Sequence, residues 1–288
     1  MSIADKEQLG GRTDSGWPMA ALGAGDREGA LASAEQRHFD LAERQASRHA
    51  IARMEEPFVF TAKELAARRL LSSGTANTPV GNAFRELRMR LMQRTGGANT
   101  VVMVTSVIPG GGSSFVACNL AAAIALDEAR TALVLDCNIR APKATAFAMP
   151  ELPLTETGLS DYLSSRDIVE DEIIQPTGLP RVRLIPAGTR RDLEGEFFSS
   201  VRMRQLMSGI ARRYPERSLV LDAPPVQSSA DTSVLAELCD WVMLVVPYGR
   251  VTARQLAAAA TAVGERKLLG VVLNRRPWLP PVLRRFAA

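Results

Sequence analysis

The chain has 288 residues, 46% of them hydrophobic and 5% aromatic, and its formal net charge at pH 7 is +4. This length accommodates one large α/β domain with an appendage, and the scarcity of aromatic residues favours helices packed on parallel strands over a β-sandwich. The basic residues are scattered arginines, which suits anionic partners such as a membrane face or phosphates and does not require nucleic acid. With only two histidines, His38 and His49, a Ser/His/Asp triad or a histidine-based metal site is not expected.

The three cysteines, Cys118, Cys137 and Cys239, lie in apolar stretches without the spacing of a metal-binding pair. This arrangement argues against a disulfide framework or a zinc site and predicts a reducing cytosolic environment. The first residues contain no basic segment followed by an apolar run, so no signal peptide is predicted. No stretch of 18 apolar residues occurs either, so no membrane-spanning helix is predicted.

Residues 1–56 are predicted to be disordered or loosely helical, because they are polar and lack a periodic apolar stripe. Order is predicted to begin near Pro57, where Thr61 and Glu64 form a capping-box pattern that opens a short helix through Leu71. A second helix, ending at the Gly-Gly pair 96–97, follows a linker at residues 72–79. Its apolar stripe is Ala83, Phe84, Leu87 and Leu91, and its basic side is Arg85, Arg88 and Arg90.

Beyond residue 99, short apolar runs alternate with helical patterns. Strands are predicted at residues 101–105, 132–136, 182–186, 218–222, 241–247 and 269–274. Helices are predicted at residues 114–126, 159–163, 202–214, 230–238 and 252–264. This alternation is typical of βαβ units. It predicts a three-layer α/β fold in which helices cover both faces of a mostly parallel sheet.

A glycine-rich loop at residues 109–114 connects the first of these strands to its helix. Glycines let backbone N–H groups turn inward, and a helix N-terminus adds partial positive charge, so this arrangement suits phosphate. Against the P-loop pattern G-x-x-x-x-G-K-[ST], Gly112 takes the second glycine and Ser114 the Mg²⁺-binding hydroxyl. Ser113 stands where the pattern has lysine. Taken alone, the loop could equally be an ordinary glycine-rich turn.

Two later strands end in aspartate, namely Asp136 and Asp222. Ligands of open α/β sheets bind at the carboxyl ends of the strands, where a carboxylate can hold Mg²⁺ or orient its waters. Either aspartate alone could be a helix cap or a turn former. Together with the glycine loop in this order, they favour a P-loop NTPase-like nucleotide site.

Residues 57–276 resemble the cytoplasmic tyrosine autokinases of bacterial exopolysaccharide export, the BY-kinases, within the wider group that includes septum-site and partitioning ATPases. Residues 197–215 are similar to autokinases paired with exosortase-type polysaccharide loci. The main matches are Thr105, Ser106, Pro109, Gly110, Gly112, Ser114, Asn119, Leu120, Ala121, Asp136, Arg140, Pro142, Asp222, Pro224 and Pro225. Softer matches lie at residues 158–163, 185–188, 200–203 and 270–274 and at Asp231.

The resemblance implies a site for ATP or ADP with Mg²⁺. The implied nucleotide-binding residues are Pro109, Gly110, Gly111, Gly112, Ser113, Ser114 and Phe115. The implied catalytic residues, if the protein is active, are Asp136, Asp222 and Arg140, and the implied Mg²⁺ ligands are Ser114, Asp136 and Asp222. Arg85 and Arg88 are implied in oligomerisation, because the corresponding family helix joins subunits into a ring.

Several positions depart from the family pattern. Ser113 replaces the lysine, Gly111 a glutamate, Asn138 the second aspartate of its motif, Phe115 a threonine and Asn82 a glutamate. The family's tyrosine-rich tail is not found in the sequence, whose only tyrosines are Tyr162, Tyr214 and Tyr248. Losing a charged hydrogen bond weakens binding by roughly 10- to 150-fold, so weak nucleotide binding and poor phosphoryl transfer are expected.

The favoured hypothesis is a degenerate kinase-like cytoplasmic subunit of exopolysaccharide or capsule biosynthesis and export, peripheral at the inner membrane. It would regulate a membrane co-polymerase, the chain-length determinant with a Wzz-type domain, and would self-associate. One alternative is an active ATP-dependent protein-tyrosine autokinase, and another is a P-loop ATPase-like positioning factor. Residues 277–288 form a basic, proline-rich tail that could contact a membrane or a partner, or could be a loose end.

Overall fold

The computed structural model describes residues 44–49, 51–96, 99–144, 157–189 and 197–275. Most of the predicted N-terminal region and the tail at 277–288 lie outside these residues, so the domain boundaries at 57 and 276 stay predictions. Residues 44–49 and 51–52 are helical. Within the described segments, no helix is both long and apolar enough to cross a lipid bilayer.

The described elements follow the predicted alternation. The helices are α1 (Ala62–Ala67), α2 (Pro79–Thr95), α3 (Ser113–Ala125), α4 (Leu159–Ser164), α5 (Glu170–Ile173), α6 (Val201–Arg213), α7 (Asp231–Glu237) and α8 (Ala253–Val263). The strands are β1 (Val101–Ser106), β2 (Thr131–Asp136), β3 (Gln175–Pro176), β4 (Val182–Ile185), β5 (Arg217–Asp222), β6 (Trp241–Pro247) and β7 (Leu268–Asn274). Short 3₁₀ turns occur at Ser73–Thr75 and Glu265–Lys267.

The strands form one sheet in the order β3-β4-β2-β5-β1-β6-β7. Every neighbouring pair is parallel except β3 with β4, which is antiparallel. The predicted mostly parallel sheet is therefore confirmed. The four-residue helix α5 and the two-residue strand β3 were not predicted, because segments so short carry no hydrophobic period.

Alternate residues of each central strand point to opposite faces, as a period of two requires. In β1, Val102 and Val104 join the core beneath α1, α2 and α3, whereas Met103 joins the core beneath α4, α6, α7 and α8. The predicted three layers follow from these two cores. All three cysteines are buried within them, and burial raises the pKa of the Cys118 and Cys137 thiols well above the usual range, so both stay protonated.

The first helix begins as predicted but ends earlier than predicted. The capping box is confirmed, since the Thr61 hydroxyl accepts from the Glu64 N–H and the Glu64 carboxylate accepts from the Thr61 N–H. The prediction that this helix reaches Leu71 is wrong. Arg69 has a φ of 55°, which breaks the helical path so that Leu70 and Leu71 enter the core as irregular chain.

Asn119, on α3, fastens this irregular segment to the helix that follows the glycine loop. Its Oδ1 accepts from the Leu71 N–H at 2.7 Å, and its Nδ2 donates to the carbonyls of Arg69 at 3.2 Å and Phe115 at 2.9 Å. The side chain is buried, and so is its hydrogen bond with the Leu71 N–H. The N-terminal segment is thereby hydrogen-bonded to the glycine-loop helix.

We expect Asn119→Ala to lower the free energy of unfolding by about 1–3 kcal/mol, because it leaves the buried Leu71 N–H unsatisfied. Urea unfolding of the two proteins measures the difference. The control is Asn82→Ala, at an exposed position of α2, for which a change within about 0.5 kcal/mol is expected. Equal effects of the two substitutions would contradict the structural role of Asn119.

Candidate nucleotide-binding site

The glycine loop joins β1 to α3 through two backbone positions that require glycine. Gly110 has a φ of 72° and Gly112, the N-cap of α3, a φ of 93°. Both lie in the left-handed region that other residues rarely adopt. Beside the loop, the Thr105 hydroxyl donates to the Pro224 carbonyl at 2.6 Å, and the Val226 N–H donates to the Ser106 carbonyl at 2.9 Å. The loop thus leaves the sheet at a position fixed by the end of β5.

Asn274, the last residue of β7, holds the other side of the loop. Its Nδ2 donates to the Gly111 carbonyl at 2.9 Å. A Cβ placed on Gly112 would lie 2.2 Å from that same nitrogen, so the contact depends on glycine there. The sequence placed Asn274 only in a softer family match. Its position at the carboxyl end of a parallel strand was the signal that could have assigned it to the site.

The two serines after the glycines are the first residues of α3, and both are buried, with 7% and 5% exposure. Their hydroxyls face the carboxylate of Asp222 and favour its charged form, although neither reaches it with good hydrogen-bond geometry. Ser113, at the position of the missing lysine, is thus a small buried hydroxyl beside a carboxylate.

Asp136 and Asp222 end adjacent strands and are direct partners in the register of β2 and β5. Both side chains are fully buried. Burial, and then the neighbouring charge of Asp136, raise the pKa of Asp222 well above its usual range, while the hydroxyls of Ser114 and Ser113 and the charge of Lys143 act in the opposite direction. The two carboxylates therefore lie side by side at the carboxyl ends of adjacent strands.

This pair fits a magnesium ion. Mg²⁺ is usually held by one or two carboxylates together with waters and substrate phosphates, and the predicted ligands Ser114, Asp136 and Asp222 meet at this point. Both buried oxygens of Asp222 lack a well-formed hydrogen bond, as expected of oxygens shaped to meet a cation. Among the described residues, no group of three or more His, Cys, Asp or Glu side chains could hold a metal by itself.

A cavity of about 290 Å³ opens beside the start of the loop. Its walls come from the loop, from the chain after β2 and from the chain after β5, and Phe197 and Phe198 contribute aromatic surface. Arg140, predicted as a catalytic residue, lines the cavity and is exposed. Asn138, which stands in place of the family aspartate, also lines it. Sequence reasoning missed Lys143, a cation three residues beyond Arg140 that lines the same cavity.

The other predicted residues lie away from the cavity. The Phe115 ring meets Phe84 of α2 edge-on at 5.9 Å between centroids, so only its backbone remains a proposal for phosphate contact. Arg85 donates to the Ala76 carbonyl and the Asn77 side chain, and Arg88 to the Ala123 carbonyl. Their role in oligomerisation stays a prediction.

The sequence is similar to several tyrosine-protein kinases of bacteria. It is 30% identical over 176 residues to the tyrosine-protein kinase YwqD of Bacillus subtilis, covering 60% of this chain and 71% of that protein. It is 27% identical over 210 residues to the tyrosine-protein kinase Wzc of Salmonella typhimurium, covering 72% of this chain but 28% of Wzc. Likewise, the chain spans only 24% of the putative tyrosine-protein kinase EpsB of Ralstonia solanacearum.

Solved structures share the fold. The kinase domain of the Escherichia coli tyrosine kinase Etk superposes with a TM-score of 0.62 at 23% identity, covering 77% of this chain and 92% of that domain. A chain of the MinC:MinD cell division protein complex of Aquifex aeolicus aligns with a TM-score of 0.52 at 16% identity. The alignment covers 65% of this chain and 72% of that one. No protein-family model matches the sequence. On the identity to YwqD over most of its length, the chain belongs to the family of bacterial tyrosine-protein kinases.

Proposed function

We propose that the chain is a kinase-like subunit of exopolysaccharide or capsule biosynthesis that regulates a membrane co-polymerase and transfers phosphoryl groups poorly. The carrying observation is Ser113, a buried hydroxyl beside Asp222 where the phosphate loop of this family has its lysine. Phosphoryl transfer depends on positioning and on neutralising charge that spreads over the transferred group. A serine hydroxyl cannot supply that charge.

Asn138 supports the same conclusion. It lines the cavity two residues after Asp136, and an amide there leaves one fewer carboxylate to retain Mg²⁺. When bound, Mg²⁺ with ATP would supply the electrophilic phosphate and neutralise its charge. Asp136, Asp222 and Ser114 would hold it. We infer that this site still binds nucleotide with Mg²⁺ but transfers phosphoryl groups poorly, because the residues that would hold Mg²⁺ are present and the lysine is not.

Two of the three tyrosines of this chain are poorly placed as phosphate acceptors. Tyr162 is buried, with the Arg202 guanidinium 4.0 Å above its ring, and Tyr214 lies under Arg217 at 3.8 Å. Tyr248 is 39% exposed. An arginine stacked on a tyrosine holds the ring in place by cation–π attraction. Tyr248 is therefore the accessible candidate for autophosphorylation within this chain.

The partner is proposed from the family resemblance of residues 57–276. We propose that it is the inner-membrane polysaccharide co-polymerase, with the chain cytoplasmic and peripheral at that membrane. The relatives at about 30% identity are named tyrosine-protein kinases, which favours a kinase-like role over a positioning ATPase. An active autokinase is the second candidate, because the cations Arg140 and Lys143 line the cavity beside the loop.

Titration with a fluorescent ATP analogue and Mg²⁺, combined with phosphotyrosine detection, separates the two candidates. We expect no phosphotyrosine in the unmodified protein. In Ser113→Lys, the restored charge should tighten nucleotide binding by roughly 10- to 150-fold. Ser208→Lys, at an exposed position of α6, is the matched control and should leave binding unchanged. Robust autophosphorylation of the unmodified protein would overturn the proposed function.

A further inference from the structure

We propose that Lys143 supplies to the phosphates of a bound nucleotide the positive charge that the glycine loop lacks. The chain would then have moved its phosphate-binding cation from the loop to the segment that follows β2. This inference rests on the proposed function in one respect, which is that nucleotide still enters the site.

The segment that carries Lys143 is fixed at both ends. At its start, the Cys137 N–H donates to the Asp222 carbonyl at 3.0 Å, and a turn follows in which the Ala141 N–H donates to the Asn138 carbonyl at 3.0 Å. At its end, Ala144 is fully buried and its carbonyl accepts from the Cys118 thiol of α3 at 3.9 Å. Lys143 is thereby anchored one residue from the helix that begins at the glycine loop.

The side chain of Lys143 is exposed and lines the cavity together with Pro109 and Gly110, the first residues of the loop. None of the ion pairs between described residues involves Lys143. The carboxylate that also lines the cavity, Asp231, accepts from the Ser229 hydroxyl at 2.8 Å. Lys143 therefore places an exposed ammonium in the space beside the loop, which it shares with Asp231.

The charge of Lys143 also acts on the metal-binding end of the site. It lowers the pKa of Asp222, against the larger raising effects of burial and Asp136. A cation placed to stabilise that carboxylate is placed to attract a phosphate bound next to it, since both are anions at one edge of the sheet. Lysine suits this task because its point charge sits on a four-carbon stem with three rotatable donors.

Arg140 lines the same cavity but belongs to the motif that this chain shares with its family. Arg140 is therefore not a replacement for the loop lysine, which this chain has lost at Ser113. Lys143 lies outside the matched positions, after Pro142. We assign the compensating role to Lys143 on that ground and on its anchoring to α3.

The test is the dissociation constant of the fluorescent ATP analogue with Mg²⁺ for Lys143→Ala. We expect it to rise about 10-fold or more, the effect of losing a charged hydrogen bond, whereas Lys143→Arg keeps most of the affinity. Lys63→Ala, an exposed lysine of α1, is the control and should bind as the unmodified protein does. Thermal melting should be unchanged, because the Lys143 side chain is exposed.

A rescue variant distinguishes charge from shape. In Lys143→Ala combined with Ser113→Lys, a cation returns at the loop, and binding should recover to at least the original level. Unchanged affinity of Lys143→Ala would overturn this inference, as would nucleotide binding by Ser113→Lys alone with none by the unmodified protein. The proposed poor phosphoryl transfer is tested separately, and it fails if the unmodified protein accumulates phosphotyrosine.

Discussion

Asp222→Asn is expected to stabilise the ligand-free protein at neutral pH while abolishing its response to Mg²⁺ and nucleotide. The carboxylate is fully buried next to Asp136, and its oxygens lack well-formed hydrogen bonds. An uncompensated buried polar group costs about 1–3 kcal/mol, and an amide removes both the charge and its repulsion from Asp136. We expect a gain in the free energy of unfolding of about 1 kcal/mol or more, which is about 2–4 °C in Tm for a domain of this size.

The gain should depend on pH with a defined sign. The pKa of Asp222 is raised in the folded protein. At pH values between the usual pKa and the raised one, the folded state therefore keeps a proton that the unfolded state has released. Stability contributed by this group is complete below the unfolded pKa and is lost as pH rises through the folded pKa. The advantage of Asp222→Asn should therefore grow with rising pH and vanish near pH 3.8, the ordinary pKa of an aspartate.

Thermal melting across pH, with and without Mg²⁺ and ATP, measures both effects. Asp167→Asn, an exposed aspartate, is the control and should change stability by less than about 0.5 kcal/mol at any pH. Asp222→Asn could instead melt at a lower temperature than the unmodified protein at pH 7.5. The buried charge would then already be compensated in the ligand-free state, and the interpretation of this carboxylate as a metal ligand that destabilises the ligand-free protein would be wrong.

Gly112→Ala should damage both stability and binding. A φ of 93° strains any residue with a side chain, and the new Cβ would lie 2.2 Å from Asn274 Nδ2. Backbone strain costs about 1–3 kcal/mol and the lost hydrogen bond to the Gly111 carbonyl about 1 kcal/mol. We therefore expect a loss of about 2–4 kcal/mol in the free energy of unfolding, together with weaker nucleotide binding because the loop is displaced.

Gly110→Ala is the matched comparison for this experiment. Gly110 has a φ of 72° but no atom within 4 Å of an added Cβ, so it carries the strain without the collision. Urea unfolding should show the smaller loss for Gly110→Ala. In the background of Asn274→Ala, the difference between the two glycine substitutions should shrink. Equal losses in the unmodified background would show that Asn274 does not hold the loop.

The boundaries of every strand except β3 could be predicted to within one residue. Each central strand is a run of five to seven mostly apolar residues bounded by turn-forming or polar ones, and a strand buried on both faces needs little more to specify it. The helix starting at Ala62 was also predictable from its capping box. Its early end was not, because the left-handed backbone at Arg69 is stabilised by the burial of Leu70 and Leu71 and by the side chain of Asn119.

By itself, the sequence determined the α/β alternation, the glycine loop, the two strand-ending aspartates and the loss of the lysine at Ser113. These are local patterns, and parallel strands bring their carboxyl ends together whatever their order. Only the tertiary structure decided which residues share the site. The order β2-β5-β1 makes Asp136 and Asp222 neighbours. The burial of Ala144 against Cys118 brings Lys143 to the glycine loop, and the edge position of β7 brings Asn274 there. These contacts join residues up to 163 positions apart in the chain, and no local pattern encodes them.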